Sequence, residues 1–323
     1  MKKTVLIFFM VSEALLLLSC SDQVNPKTDL ENVYSLNCIM RGDTTSQIAT
    51  VTHSYEISGF DPASNTTNPF IAGARIKVYY NDSVFVFRDT TAIRTDISRY
   101  TTPIHYYYVN KLYPKSGDSI KIVATLPNGK VLSAATKTYQ TSSVFFTNQQ
   151  DQYTSIYSYT IYLKFGWVSV LSTADIASAF FAPDLLIYYH KNDDPAKKRL
   201  IKKVPWLYSE TAGPVYPPIQ NSIFDIAYDM STVNRAMSEI AGSDPDKGNY
   251  IIEGASFRIL VMDQNLATYY NAQKTYMDEF SVRINQPDFT NIKGGLGIFG
   301  SFTVRLMVVP VATDYIQSFG YGY

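Results

Sequence analysis

Cys20 closes a segment whose residue types, in their order, prepare one covalent reaction. Lys2 and Lys3 are followed by apolar runs at 5–10 and 14–18, and Leu17-Leu18-Ser19 leads directly into the cysteine. A basic end, a short apolar core and a small residue at the cut are the parts of a secretory signal, and this core is too short to span a bilayer as a helix. A cysteine in that place reads as a lipobox. Its thiolate accepts a diacylglycerol before the signal is cut, and the freed amine can take a further acyl chain. Two or more acyl chains hold a protein on a membrane stably. The expectation is a signal over residues 1–19 and a lipid anchor on Cys20. The competing reading, the first cysteine of an ordinary secreted chain, draws on Ser12-Glu13, which interrupt the apolar core. With Cys20 lipidated, Cys38 has no disulfide partner and reads as a small buried apolar residue.

Other residue types that carry chemistry are sparse or sit in the wrong context. His53, His105 and His190 lie in separate strand-like segments, with no His-Glu-x-x-His pair and no Gly-x-Ser-x-Gly elbow. Each reads as a strand histidine, so no catalytic residue is assigned and the chain is expected not to be an enzyme, although folding can gather distant residues. Gly295-Leu296-Gly297-Ile298-Phe299-Gly300 matches a dinucleotide-binding pattern literally. That chemistry needs a strand before the glycines and a helix after them, to aim N–H groups at a pyrophosphate. Here Pro287-Asp288-Phe289 precedes and a strand-like run over 303–309 follows, so the glycines are expected to permit a sharp bend into the last strand. Asp244-Pro245-Asp246-Lys247-Gly248-Asn249 resembles a calcium loop, but Ala255 stands where the bidentate glutamate belongs, and a solvated turn is the better reading. No cofactor and no metal site is expected.

Residues 205–218 carry four prolines and the rings of Trp206, Tyr208 and Tyr216, apart from any strand pattern. Aromatics on a stiff loop lose little entropy on contact, which suits stacking on a glycan or docking a peptide or protein. The alternative is that these rings tuck back onto the body of the protein. Formal net charge is zero, so no footprint for nucleic acid is visible.

The elements that must position these residues are mainly strands. Twenty-six tyrosines and 18 phenylalanines against 2 tryptophans suit half-buried pleated surfaces. Residues 20–31 are polar and patternless, a lipidated tether. Over 32–140 short strands alternate with turn signals, near 48–57, 74–80, 84–87, 104–109, 119–126 and 131–138, with a loop at 61–69. Asn128-Gly129 marks a tight hairpin between the last two, since it supplies left-handed dihedrals. Over 141–323 strands are expected near 156–167, 185–189, 200–204, 250–262 and 299–310. Two helices interrupt them. One, near 232–241, is capped by Ser231 or Thr232 and stopped by Gly242; the other, near 264–280, carries Leu266, Tyr269, Tyr270, Gln273, Tyr276, Met277 and Phe280 as a stripe. The expectation is a mainly all-β chain of two sandwich-type domains, the first immunoglobulin-like and the second with two inserted helices.

Asn291-Ile292-Lys293-Gly294-Gly295-Leu296-Gly297-Ile298-Phe299-Gly300, together with the lipobox and the Ala134-Ala135-Thr136 strand, resembles an uncharacterised lipoprotein family of Bacteroidota, a domain of unknown function. The sharp motifs lie in roughly the last sixty residues, and the architecture covers the whole chain. The resemblance implies an immunoglobulin-like first domain, an outer-membrane location and genes often placed beside TonB-dependent transporters. It implies no catalytic residue. Members displayed on the cell surface carry several acidic residues after the lipid cysteine, where this chain has only Asp22, so both faces of the outer membrane stay open. The expected function is that of a non-enzymatic accessory lipoprotein of a TonB-dependent nutrient-uptake or envelope system. A structural or adhesive surface protein is the alternative, and a hydrolytic enzyme stands behind both.

Overall fold

A computed structural model describes residues 32–55, 64–147, 152–211, 213–274 and 289–323. The expected signal, Cys20 and the expected tether lie outside the described residues, as do 56–57 of the strand expected at 48–57, 61–63 of the expected loop and 275–280 of the second expected helix. Among the described residues no helix is long and apolar enough to cross a membrane.

Strands form where apolar residues alternate with polar ones. In β1 (Tyr34–Arg41) Leu36, Cys38 and Met40 point into a core. β2 (Gln47–His53), β3 (Arg75–Tyr80), β4 (Ser83–Val86), β5 (Arg88–Ala92), β6 (Ile104–Val109), β7 (Ser119–Thr125) and β8 (Val131–Lys137) follow. Then come β9 (Val144–Phe146), β10 (Tyr162–Ser169), α1 (Thr173–Ile176), β11 (Ala179–Lys191), β12 (Leu200–Val204), β13 (Leu207–Ser209), β14 (Gly213–Val215) and β15 (Asp225–Asp229). The chain continues through α2 (Met230–Ser238), β16 (Tyr250–Asp263), α3 (Gln264–Lys274), β17 (Leu296–Val309) and α4 (Thr313–Ser318). The fold is thus mostly β, as the alternation and the tyrosine content imply.

One eight-stranded sheet, in the order β12-β11-β16-β17-β1-β2-β6-β5, forms the backbone of the molecule. At one end the sheet β4-β3-β7-β8 packs on it, and Leu36, Val51, Ile76, Tyr107, Ile122 and Leu132 fill the space between them. At the other end the sheet β15-β10-β9 packs on it around Phe165, Trp167, Phe181, Tyr228 and Phe257, with Val233 and Met237 of α2 and Ile316 of α4 completing that core. A third, smaller cluster of Ile219, Met262, Leu266, Ala267 and Ile298 lies under α3, and the shared sheet crosses the residue-140 boundary. β17 pairs in parallel with β1, from Ser35 opposite Leu296 to Arg41 opposite Phe302. Phe299 and Ile292 consequently fill the core of the first sandwich.

That pairing changes the meaning of the glycine motif. Gly294 and Gly295 form the expected bend into the last strand, but Gly297 and Gly300 lie within β17, which begins at Leu296. A Cβ on Gly295 would stand 2.3 Å from the Tyr34 carbonyl oxygen, and one on Gly297 would stand 2.2 Å from that of Leu36. Gly297 also has φ +109°, which only glycine adopts without strain. Gly294, at φ +86°, lets the chain approach β8, where Lys293 and Ser133 exchange backbone hydrogen bonds. Asn291 fastens the segment to β17: its Nδ2 donates to the Phe299 carbonyl at 2.7 Å, and its Oδ1 accepts from the Phe299 N–H at 2.9 Å.

Three local expectations change in detail. The 119–138 hairpin forms, but only Gly129 has positive φ; Pro127 and Asn128 build an ordinary turn, and the Asn128 side chain accepts from the Lys130 N–H at 3.1 Å. β10 begins at Tyr162, not near 156, because Ile156 instead bridges to Val311. The cap of α2 is Asp229, whose carboxylate accepts from the Ser231 N–H at 2.7 Å, so the helix starts before Ser231 and Thr232.

Candidate functional site

β16 ends in Asp263, and that residue starts α3. Its carboxylate accepts from the N–H groups of Asn265 at 3.1 Å and Leu266 at 3.2 Å, which a helix start otherwise leaves unpaired. The same carboxylate takes the Ser301 N–H at 2.8 Å and the Thr136 hydroxyl, joining α3 to β17 and β8. Burial pushes the Asp263 carboxyl up from its ordinary range, even against these donors. Gly300 makes the close packing possible, since a Cβ there would lie 2.9 Å from that of Leu266. The helix therefore rests on the outer face of the eight-stranded sheet, with Leu266 and Ala267 buried and Tyr270 partly exposed.

Beneath α3 lies a cavity of about 290 Å³. Ile39, Leu260 and Phe302 of the sheet, Leu266 and Tyr270 of the helix, and Ile219, packed with Leu266, line it. Asp184 of β11 is the register partner of Arg258 on β16, which puts both side chains on this face. Lys203 of β12 pairs with Leu186, two residues from Asp184, and so reaches the same carboxylate. Arg258 donates to Asp184 Oδ2 at 2.5 Å and Lys203 contacts Oδ1. Asp184 is only 4% exposed, a burial that a carboxylate tolerates when it is paired.

Part of the 205–218 segment is not apart from strands: β13 (Leu207–Ser209) and β14 (Gly213–Val215) pair as a hairpin flanked by Trp206 and Tyr216, with the Trp206 N–H donating to the Val215 carbonyl at 2.8 Å. The register places Trp206, Tyr208 and Tyr216 on one face of it. Each ring is tied down. Trp206 Nε1 donates to the Ala227 carbonyl at 3.0 Å, and the indole remains 40% exposed. The Tyr208 hydroxyl donates to Glu239 at 3.0 Å, beneath the Arg235 guanidinium, 3.9 Å from the ring centre. Burial, with Glu239 adding to it, pushes that phenol up to about 12. Tyr216 carries Lys203 over its ring at 4.8 Å. Lys203 is therefore shared between the hairpin and the cavity, and of the three aromatics Tyr216 is the one joined to it.

The other sequence candidates are structural in their contacts. His53 Nδ1 lies 2.6 Å from the Ser54 carbonyl oxygen, His105 stacks on Phe70 at 4.8 Å, and His190 Nδ1 lies 2.8 Å from Glu253. Asp244 accepts from the Asp246 N–H and the Tyr250 hydroxyl, which makes its segment a turn. Among the described residues no group of three or more His, Cys, Asp or Glu side chains is placed to hold a metal ion. Cys38 is buried, and burial pushes its thiol up to about 12.

Asp184, Lys203, Arg258 and Asp263 escape a reading of motifs, because none belongs to one. A signal was present: Asp184 and Arg258 are lone charges inside apolar strand sequences, where an unpaired charge would be costly. What they pair with depends on strand order. Compared with models of known families and with curated proteins, the chain finds no match.

Proposed function

We propose that this chain is a non-enzymatic binding protein of the outer membrane, anchored by lipid on Cys20 and accessory to a TonB-dependent nutrient-uptake or other envelope system. The observation that supports the binding role is the cavity under α3, with apolar walls, three charged side chains at one side and an aromatic hairpin joined to it through Lys203. Concave apolar surface with a few fixed polar groups suits ligand recognition. The membrane role rests on the order of residue types up to Cys20, and the uptake role on the resemblance of residues 291–300 to the lipoprotein family. Cys20→Ser should move the protein from the membrane pellet to a soluble fraction and abolish fatty-acid labelling; retention with unchanged labelling removes the anchor. Partner or glycan that co-purifies with the wild-type lipoprotein should be lost from Trp206→Ala and Tyr216→Ala, and its full retention by both removes the hairpin from the binding role.

A structural or adhesive role is favoured by a different observation. Tyr157 and Tyr159 stack at 5.2 Å with Tyr159 75% exposed, and Tyr153 stacks on Tyr162 at 5.0 Å. Rigid exposed rings suit assembly between surfaces. Gene neighbours separate the two roles, a TonB-dependent transporter supporting uptake and a fimbrial cluster supporting assembly.

A further inference from the structure

We propose that the cavity beneath α3 takes a small amphiphile with one apolar body and one carboxylate, the carboxylate completing the charge of Lys203 and Arg258. This rests on the binding role above and narrows it to a class of ligand. Two cations meet a single carboxylate at this site, and among the described residues neither pairs with a second one. The other neighbour of Lys203, the Tyr216 ring, attracts the ammonium without neutralising it. One positive charge is thus in excess beside an apolar cavity, where low dielectric strengthens an ionic contact. It is also the accessible charge, since the Lys203 and Arg258 side chains are 38% and 31% exposed while that of Asp184 is 6% exposed.

The guanidinium has donors to spare. Arg258 spends Nη2 on Asp184, and its Nε is buried with no acceptor, so turning toward an incoming oxygen breaks no bond at that nitrogen. The remaining side chains of the wall, Met262 among them, are apolar apart from the Tyr270 phenol, and the wall suits a head without further polar groups on the body behind it. Leu306, the register partner of Arg258, and Val308 beyond it are 55% and 79% exposed, so a longer apolar body has surface on which to continue. A neutral head leaves the excess charge unmet, and a bare anion leaves the walls wet.

Calorimetric titration of the full chain carrying Cys20→Ser, which alters none of the described residues, tests this with octanoate and 1-octanol. Octanoate should bind saturably at one site per chain, at least tenfold tighter than 1-octanol. Ile219→Trp, which fills the cavity, should abolish binding, and Arg258→Met should weaken octanoate at least tenfold with little effect on 1-octanol. Lys203→Met gives the same comparison if the Arg258 variant fails to fold, and melting temperatures report that. Equal affinity for the two probes, no octanoate binding by a folded chain, or octanoate binding unchanged in Ile219→Trp would each overturn the inference. In any of these cases partner capture that still depends on Trp206 and Tyr216 leaves the broader binding role standing; loss of that dependence removes both.

Discussion

The N–H of Ser301 donates to the carboxylate of Asp263 at 2.8 Å, at the point where β16 ends, β17 passes beside it and α3 begins. Because the same carboxylate starts the helix, the helix that lines the cavity is fastened to the sheet through one side chain.

Asp263→Ala should accordingly destabilise the protein by about 2–5 kcal/mol, combining the loss of a helix cap with buried donors left unpaired. Asp263→Asn keeps one acceptor oxygen and should cost less. Chemical denaturation of both variants measures this, and a cost for Ala within error of wild type would deny Asp263 that role.

Gly297→Val should lower stability by more than about 1 kcal/mol, since it adds a β-branched side chain at positive φ and against the Leu36 carbonyl. Gly295→Val should do likewise for steric reasons alone, because its Cβ would meet the Tyr34 carbonyl. ATP and NAD should leave the melting temperature of the wild type unchanged. Nucleotide protection that disappears in these variants would return the motif to phosphate binding.

The two tryptophans should behave oppositely. Trp167 is 1% exposed in the larger core, and Trp167→Ala should cost about 3–5 kcal/mol. Trp206 is 40% exposed, and Trp206→Ala should cost clearly less while impairing partner capture. Iodide quenching checks the assignment independently: the fluorescence that remains in Trp206→Ala should be shielded.

Acid should loosen α1 from β8. Lys137, at 2.8 Å, and the Ser172 hydroxyl, at 2.7 Å, hold the Asp175 carboxyl below its ordinary range. The folded value lies below the unfolded one, so the stability Asp175 contributes is present above the ordinary carboxylate range and is lost as pH falls through the lowered value. Asp175→Asn should lower the melting temperature near neutrality and make its decline from about pH 5 to about pH 3 shallower. Parallel declines for variant and wild type would show that the ion pair is not felt.

Much of the fold was legible because it is local. Alternation in β3, β7 and β8 depends only on which neighbours are apolar, and Gly129 marks its turn within four residues. The cysteine chemistry expected at Cys20 rests on the order of residue types and needs no tertiary contact at all. The stiff aromatic segment at 205–218 was visible for the same reason, as a composition, whereas its hairpin was not, since Pro214 argues against a ladder and is tolerated at Tyr208 only because β14 is an edge.

Tertiary structure alone decided what these pieces mean together. The bend at Gly294 and Gly295 was legible, but nothing nearby in sequence shows that β1, some 260 residues earlier, would lie against Gly297 and Gly300. Parallel pairing over that distance leaves no local period to read; it requires only that backbone approach backbone, which glycine permits. The site follows the same logic. Asp184, Lys203 and Arg258 belong to three strands whose order in the sheet brings one carboxylate to two cations, and a shift of one residue in either register would turn a charge to the opposite face. Residue types could announce that such charges need partners, but the sheet decided which ones they found and left the open, positive side facing an apolar cavity.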